Sequence, residues 1–402
     1  MSSGNPNRLT ILQFCRLSLL TSLAGIWLSG CTNSASQSIE TEVCSDGTFL
    51  IEANFEGANM GLCEVLAPAR FRLSLTPEDQ PVNPSPWYAF KVISGQGELS
   101  VELHYELHKH RYLPKVSLDG KTWSRLNDKD VAANQDGTVV TLTLNVPDSP
   151  IWIAGQELMV QSDYEFWMSD LADRYGASYS VIGQSKGGRP IFLLETKNSK
   201  DKQTLVLLGR AHPPEVTGAI AMRHFVDRLF DKHQALLADY DLFIVPLLNP
   251  DGVASGYWRH GLGGLDLNRD WGPFSQPETS VVLAALNQRI ECGDQPRLML
   301  DFHSTHRNVF YTQTDEEDAQ MGNFTKQWLE QARGMGVYPF EHARRHNTDL
   351  PTSKNYFHTR FGIPAITFEL GDNTPRDEII TSSQKFADAL VSVLRTQVDD
   401  AK

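Results

Sequence analysis

The chain has 402 residues, 41% of them apolar and 21% charged, with a formal net charge of −13. That length admits two domains with cores of their own, and the balance of apolar to charged residues is that of a folded globular protein. An acidic surplus of this size excludes a nucleic-acid-binding face, which needs clustered Lys and Arg. It also makes a simple polyanion a poor ligand unless a local basic pocket receives it.

Residues 1–30 read as a leader. Arg8 and Arg16 precede "LSLLTSLAGIWL", an apolar run too short to span a bilayer and typical of a signal-peptide core. The run ends in "LSGC", which resembles a bacterial lipobox with Cys31 as the site of cleavage and acylation. The expectation is a lipoprotein held to a membrane by lipid at Cys31, in the bacterial cell envelope on the periplasmic side. Thr32 after Cys31 points to the outer membrane, and residues 31–47 to a polar tether. An ordinary secretory signal with an incidental Cys31 is the alternative. In an oxidising compartment Cys44 and Cys63 can pair, which leaves Cys292 over and expected to be buried and inert.

Residues 48–157 are strand-like. "ARFRLSLTP", "WYAFKVISG", "GELSVELHYEL" and "GTVVTLTLNVP" alternate or are β-branched, and Pro, Gly, Asn and Asp punctuate them at the spacing of a small β-sandwich. His104, His108 and His110 lie close together here, but no acid or further ligand joins them, and a solvated face is the expectation. From residue 158 to 402 the pattern changes. "SDYEFWMSDLADRYG" is amphipathic; the strands "RPIFLLET", "QTLVLLG", "DLFIVPLL", "RLMLDFH" and "PAITFEL" then alternate with helices near 216–231, 276–291, 319–334 and 377–397. That alternation predicts an α/β sheet flanked by helices.

The stretch "RAHPPEVTG" places His212 and Glu215 on a strand-to-helix turn stiffened by two prolines. Proline fixes φ, so the two side chains can be aimed in advance as half of a metal site. "LDFHST" puts His303 at another strand end, and "TFELGD" puts Glu369 at the last one. In an open sheet such ends share one crevice. A His-Glu-His set with an open fourth position is a ligand set of catalytic zinc, and zinc-bound water needs a base, for which Glu369 is the candidate. Arg259 and Arg269, in the turn-rich "GYWRHGLGGLDLNRDW", ask for an anionic ligand in so acidic a chain.

The order HxxE, NPDG, WR, DLNR, DFH, FEL resembles the zinc metallocarboxypeptidase family over roughly 160–390. The preceding β-rich segment, with "WYAFKV" and "YLPKVSLDGKTW", is similar to the one that precedes the peptidase in the cytosolic-carboxypeptidase branch, known for removing glutamates. The resemblance implies an α/β fold with a mixed sheet and one zinc per chain on His212, Glu215 and His303. It implies that Asp266 orients His212, that Arg259 polarises the scissile carbonyl, and that Asn268 and Arg269 clamp the substrate's terminal carboxylate. Glu369 would pass a proton from the attacking water to the leaving amine. The chain departs from the pattern in two places. Pro214 stands where the family usually has Gly, and Asn347, beside His346, stands where digestive relatives carry a mobile Tyr. Lys354 falls where those relatives place the base of the pocket for the last side chain, so a lysine suggests an acidic C-terminal residue.

The expected function is therefore a zinc carboxypeptidase acting on peptide or protein C-termini, with a preference for Glu or Asp. One alternative is a zinc amidohydrolase for N-acyl amino acids or peptidoglycan stem peptides. Another, of a different class, is a peptide-binding lipoprotein without catalysis, which would need neither Glu369 nor Arg259.

Overall fold

The computed structural model describes residues 43–83, 85–196, 202–344 and 349–400. The leader, Cys31, His346 and Asn347 lie outside the described residues. Two antiparallel-rich sheets come first in the chain. One has six strands, in the order Val43–Ser45, Leu50–Glu52, Ala89–Ser94, Ile151–Ala154, Lys115–Ser117 and Ser124–Arg125; the other has five, in the order Leu62–Ala67, Arg70–Leu75, Gly97–Tyr105, Val139–Val146 and Val131–Ala133. Strand alternation supplies their common core. Leu99, Val101 and Leu103 point inward opposite Leu144, Leu142 and Val140, and Phe90, Val92 and Ile153 of the other sheet join the same cluster. Cys44 and Cys63 form a disulfide between the edge strands of the two sheets.

Two minor expectations fail here. The strand with His104 stops at Tyr105, so His108 and His110 lie on the following turn rather than on a solvated strand face. His108 packs edge-on against Trp258 with 5.5 Å between ring centroids, and His110 Nδ1 lies 2.8 Å from the Tyr105 hydroxyl. Cys292 is exposed, because it follows the last turn of helix Pro277–Glu291 at the surface.

The α/β part is a mixed eight-stranded sheet. Its spatial order is Ser178–Gln184, Pro190–Glu195, Tyr240–Val245, Gln203–Gly209, Gln295–Thr305, Ala365–Gly371, Val309–Thr312 and Glu341–Arg344. The four central strands, from Tyr240–Val245 to Ala365–Gly371, are parallel. They read as continuous apolar runs because helices cover both faces. Leu205 and Leu207 face one core with helices Val216–Lys232 and Arg376–Asp400. Val206 and Leu208 face the other with helix Pro277–Glu291. The helix expected over 319–334 is broken: Asp315–Gln320 and Phe324–Gly334 are separated where Gly322 and Asn323 take positive φ. Val216 and Trp258 of this part are buried in the core of the β-rich part, so the two halves share packing within one compact unit. No helix among the described residues is long and apolar enough to cross a membrane.

Candidate active site

Strand Gln203–Gly209 ends at Arg210, whose φ of 54° turns the chain back, and the Pro213-Pro214 step leads to Glu215 at the start of helix Val216–Lys232. This helix lies unusually close to the neighbouring strand. A Cβ on Gly218 would stand 2.5 Å from the His303 carbonyl oxygen, so only glycine fits. Ser304 Oγ accepts the Gly218 amide at 2.9 Å and receives the Thr217 hydroxyl at 2.8 Å, which pins the helix start beside His303. The result is one buried cluster of His212, Glu215 and His303, with a ligand atom of each within 4.8 Å of the others.

The geometry of this cluster fits a cation. His212 Nδ1 lies 2.8 Å from Glu215 Oε1, His303 Nδ1 lies 2.7 Å from Glu215 Oε2, and the two Nδ1 atoms are 3.2 Å apart. The far nitrogens face carboxylates: His212 Nε2 is 2.9 Å from Asp266 Oδ1, and His303 Nε2 is 2.9 Å from Asp301 Oδ2. With each Nε2–H given to an aspartate, both Nδ1 lone pairs point at the Glu215 carboxylate, an arrangement that requires positive charge between them. The electrostatics say the same. Burial alone would push His303 down, yet Asp301 and Glu215 hold its pKa well above the usual imidazole range. Burial would likewise raise Glu215, but His212 and His303 pull it far below the usual carboxylate range. Two imidazoles and a carboxylate are a donor set suited to zinc.

Glu369 stands directly across from His303 in the parallel register of their strands, so both side chains emerge on one face at one sheet end. Its Oε2 is buried and finds no partner among the described residues. Burial, and then the nearby Glu215 carboxylate, push its carboxyl up to about 7. A group that exchanges its proton near neutrality is suited to general-base work, and a cation on Glu215 would draw it lower.

Asp266 ties the remaining parts together. While Oδ1 faces His212, Oδ2 receives Nε and Nη2 of Arg259, each at 2.8 Å, and has Arg269 Nη1 at 3.9 Å. Burial opposes ionisation of this carboxyl, but His212, Arg259 and Arg269 keep it well below the usual range. Asn268 is held through its amide oxygen. Oδ1 accepts the Ser353 amide at 3.0 Å; Nδ2 lies 3.2 Å from His303 Nε2, but with the Nε2–H given to Asp301 that nitrogen accepts nothing, so the amide N–H groups are left for a substrate carboxylate. Arg269 donates to the Asn268 carbonyl at 2.8 Å and lines the cleft.

The cleft encloses about 280 Å³ and takes in the His212–Glu215–His303 cluster, Glu369, Arg259 and Lys354. Lys354 is buried on helix Ser353–Phe361, with Nζ 2.7 Å from Asn355 Oδ1, and burial pushes its ammonium down to about 8. Arg111, from the β-rich part, also lines the cleft and holds Asp372 at 2.8 Å, three residues after Glu369. The acidic chain thus contains the local basic pocket that an anionic substrate would need. His306 lines the cleft, whereas His342 Nε2 faces the Thr312 hydroxyl at 2.8 Å.

Asp301 escaped the sequence reading. The signal was present: strand alternation puts Asp301 and His303 on the same face in "LDFH". Ser353 donates to the same Asp301 oxygen that faces His303. Asp301→Ala should weaken zinc binding by about 10–100-fold through loss of the His303 tautomer. Competition with a zinc chelator measures this, and an unchanged affinity would show that His303 is oriented by other contacts.

The chain is similar to known proteins over much of its length. Over 305 residues the chain is 23% identical to human cytosolic carboxypeptidase 2, an alignment covering 66% of this chain and 34% of the relative. It is 31% identical over 147 residues to mouse cytosolic carboxypeptidase 6, covering 32% of this chain and 27% of the relative. The chain therefore matches only about a third or less of the length of these two relatives. Its fold is similar to a solved metallo-carboxypeptidase from Burkholderia cenocepacia, with TM-score 0.71, 20% identity, and coverage of 87% of this chain and 99% of the other. A metallo-carboxypeptidase from Pseudomonas aeruginosa, solved with (2-guanidinoethylmercapto)succinic acid, gives TM-score 0.68 at 22% identity over 86% of this chain and 99% of that one. Residues 164–388, more than half of the chain, match the zinc carboxypeptidase model Peptidase_M14, and the protein, with its His-Glu-His cluster inside that span, belongs to the zinc carboxypeptidase family.

Proposed function

We propose that this chain is a zinc-dependent carboxypeptidase that releases the last residue of peptides or proteins, with a preference for acidic ends. The observation that carries the reading is the convergence, in one cleft, of a cation-demanding His212–Glu215–His303 cluster with Glu369 and two arginines. When bound, zinc would supply Lewis-acid activation of water and of the carbonyl. The chain's own residues would do the rest. Arg269, with the amide N–H groups of Asn268, would hold the terminal carboxylate; a guanidinium fork suits this by making two charge-assisted hydrogen bonds. Arg259, fixed by Asp266, would donate to the oxygen that gains charge as the carbonyl is attacked. Glu369 would take a proton from the attacking water and return it to the departing amine. The leader and Cys31 would tether the enzyme by lipid in the cell envelope, a location with which the Cys44–Cys63 disulfide accords.

The acidic preference rests on Lys354, a cation in the cleft wall. At an effective dielectric near 20, unit charges about 4 Å apart interact by roughly 4 kcal/mol, of which desolvation takes back much. A peptide ending in Glu should therefore exceed its Lys-ended twin by about tenfold to thirtyfold in kcat/KM. Lys354→Glu should reverse the order with zinc content unchanged. The ammonium loses its charge as pH rises through about 8, so the preference for Glu should fade from pH 7 to 9. The matched peptide pair, assayed with both proteins, is the test. Equal ratios for wild type and Lys354→Glu would remove the acidic preference and leave the peptidase reading standing. Arg269→Ala should act mainly through KM for free carboxyl ends; a fall in kcat alone would contradict its role as a clamp.

A further inference from the structure

We propose that Glu78, on the loop that follows strand Arg70–Leu75, is a positioning residue for Arg259, so that the β-rich part sets where this guanidinium stands in the cleft. The proposal rests on the reading above that Arg259 faces the scissile carbonyl.

Arg259 lies between helix Pro250–Ala254 and the turn at Leu267–Arg269, in a segment without helix or strand and with Gly261, Gly263 and Gly264 just beyond it. Its own stretch of chain holds it at the flanks, through Tyr257 N to Gly252 O and Gly261 N to Leu265 O, both at 3.0 Å, but among the described residues it offers no acceptor to the amides of 258–260. The restraint comes from about 180 residues upstream. Three successive amides converge on the single Glu78 carboxylate: Trp258 N donates to Oε2 at 2.7 Å, and Arg259 N and His260 N donate to Oε1 at 2.8 and 2.6 Å. Asp79 Oδ1 lies 2.6 Å from His260 Nδ1, which secures the same loop through a second side chain. On its other side the loop is anchored by Trp258, fully buried in the core of the β-rich part.

Backbone N–H groups that donate to an ionised carboxylate form stronger bonds than neutral pairs. Three of them on consecutive residues fix both the path and the tilt of the peptide planes. The Arg259 side chain then has one short route to Asp266, whose other oxygen faces His212 Nε2. A line of contacts thus runs from Glu78 through the 258–260 backbone and Arg259 to Asp266 and the His212 ring. Without Glu78, the His-Glu-His cluster keeps every one of its own contacts, while the loop that carries Arg259 loses the acceptor of three consecutive amides and keeps the buried Trp258, the His260 contacts to Asp79 and Asn249, and the Arg259–Asp266 pair. A guanidinium displaced by about 1 Å from the carbonyl it should polarise can cost up to about a hundredfold in rate.

The test uses the full chain with zinc. Glu78→Ala is made in the wild type and in an Arg259→Ala background, and Glu78→Gln in the wild type. Glu78→Ala should lower kcat by about tenfold to a hundredfold with KM within about threefold and zinc content unchanged. Amide hydrogen exchange of the segment spanning 257–261 should become faster. Glu78→Gln, which keeps one carbonyl oxygen as acceptor, should fall between; it also carries the comparison if the alanine variant does not fold. In the Arg259→Ala background the same Glu78→Ala change should cost less than about threefold, because its target is gone. Unchanged exchange at 257–261, or an equal loss of kcat in both backgrounds, would overturn the proposal. Wild-type kcat in Arg259→Ala would instead sink the role of Arg259 and the proposal with it, and the exchange data tell that failure from a failure of the clamp.

Discussion

Glu369→Gln should lower kcat by about a hundredfold to ten-thousandfold, the range that a positioned general base contributes. Zinc content and fold should be retained. Gln keeps the size and the hydrogen-bonding length of Glu but cannot accept a proton from water. Glu369 touches neither His212 nor Glu215 through a hydrogen bond; it is placed by backbone register opposite His303. The substitution therefore removes chemistry without removing a ligand. It also relieves a buried carboxyl already raised to about 7 by burial and by Glu215, so the variant should be no less stable than the wild type at neutral pH. Parallel assays of peptide hydrolysis, elemental zinc and thermal melting separate these effects. Near-wild-type kcat would mean that another group takes the proton.

His212→Ala and His303→Ala should each lose zinc, with affinity falling well beyond the about 10–100-fold expected for loss of a hydrogen-bond partner such as Asp301. Each substitution leaves two donors where three are needed for a catalytic site. It also takes a partner from buried acids. His303 is the partner of both Asp301 and Glu215, and removing it leaves Asp301 with the Ser353 hydroxyl and Glu215 with His212, a destabilising loss of charge pairing in the interior. For the wild type, zinc at about 100 times its Kd stabilises by about 2.7 kcal/mol. A chelator should therefore lower Tm in the wild type and leave Tm nearly unchanged in the two alanine variants. Stoichiometric zinc in either purified variant would show that the cluster is not the metal site.

The parts of the site legible in the sequence are those whose geometry is local or set by strand ends. His212 and Glu215 share one proline-stiffened turn, and His303 and Glu369 sit at the ends of apolar strands that could only be central ones. The central strands were legible for the same reason: burial on both faces leaves runs such as "LVLLG" without polar interruption. What escaped is held by distant partners or by weak patterns. Strands Ser178–Gln184 and Glu341–Arg344 lie at the sheet edges, polar and half-exposed, and show no periodicity to read. Helix Ser353–Phe361 is short and mixed, yet it presents Ser353 to Asp301 and Lys354 to the cleft. Glu78 and Arg111 belong to loops of the β-rich part whose sequence gives no sign that they reach Arg259 and Asp372.

The most direct test of the central claim is mass spectrometry of one peptide in two forms, with a free C-terminal carboxylate and with a C-terminal amide, incubated with the zinc-loaded chain. The account predicts loss of a single terminal residue from the free peptide, and little or no cleavage of the amidated one, because Arg269 and Asn268 would have no carboxylate to hold. Equal cleavage of both forms, or cuts inside the peptide, would contradict a carboxypeptidase and favour an amidohydrolase or an endopeptidase built on the same fold.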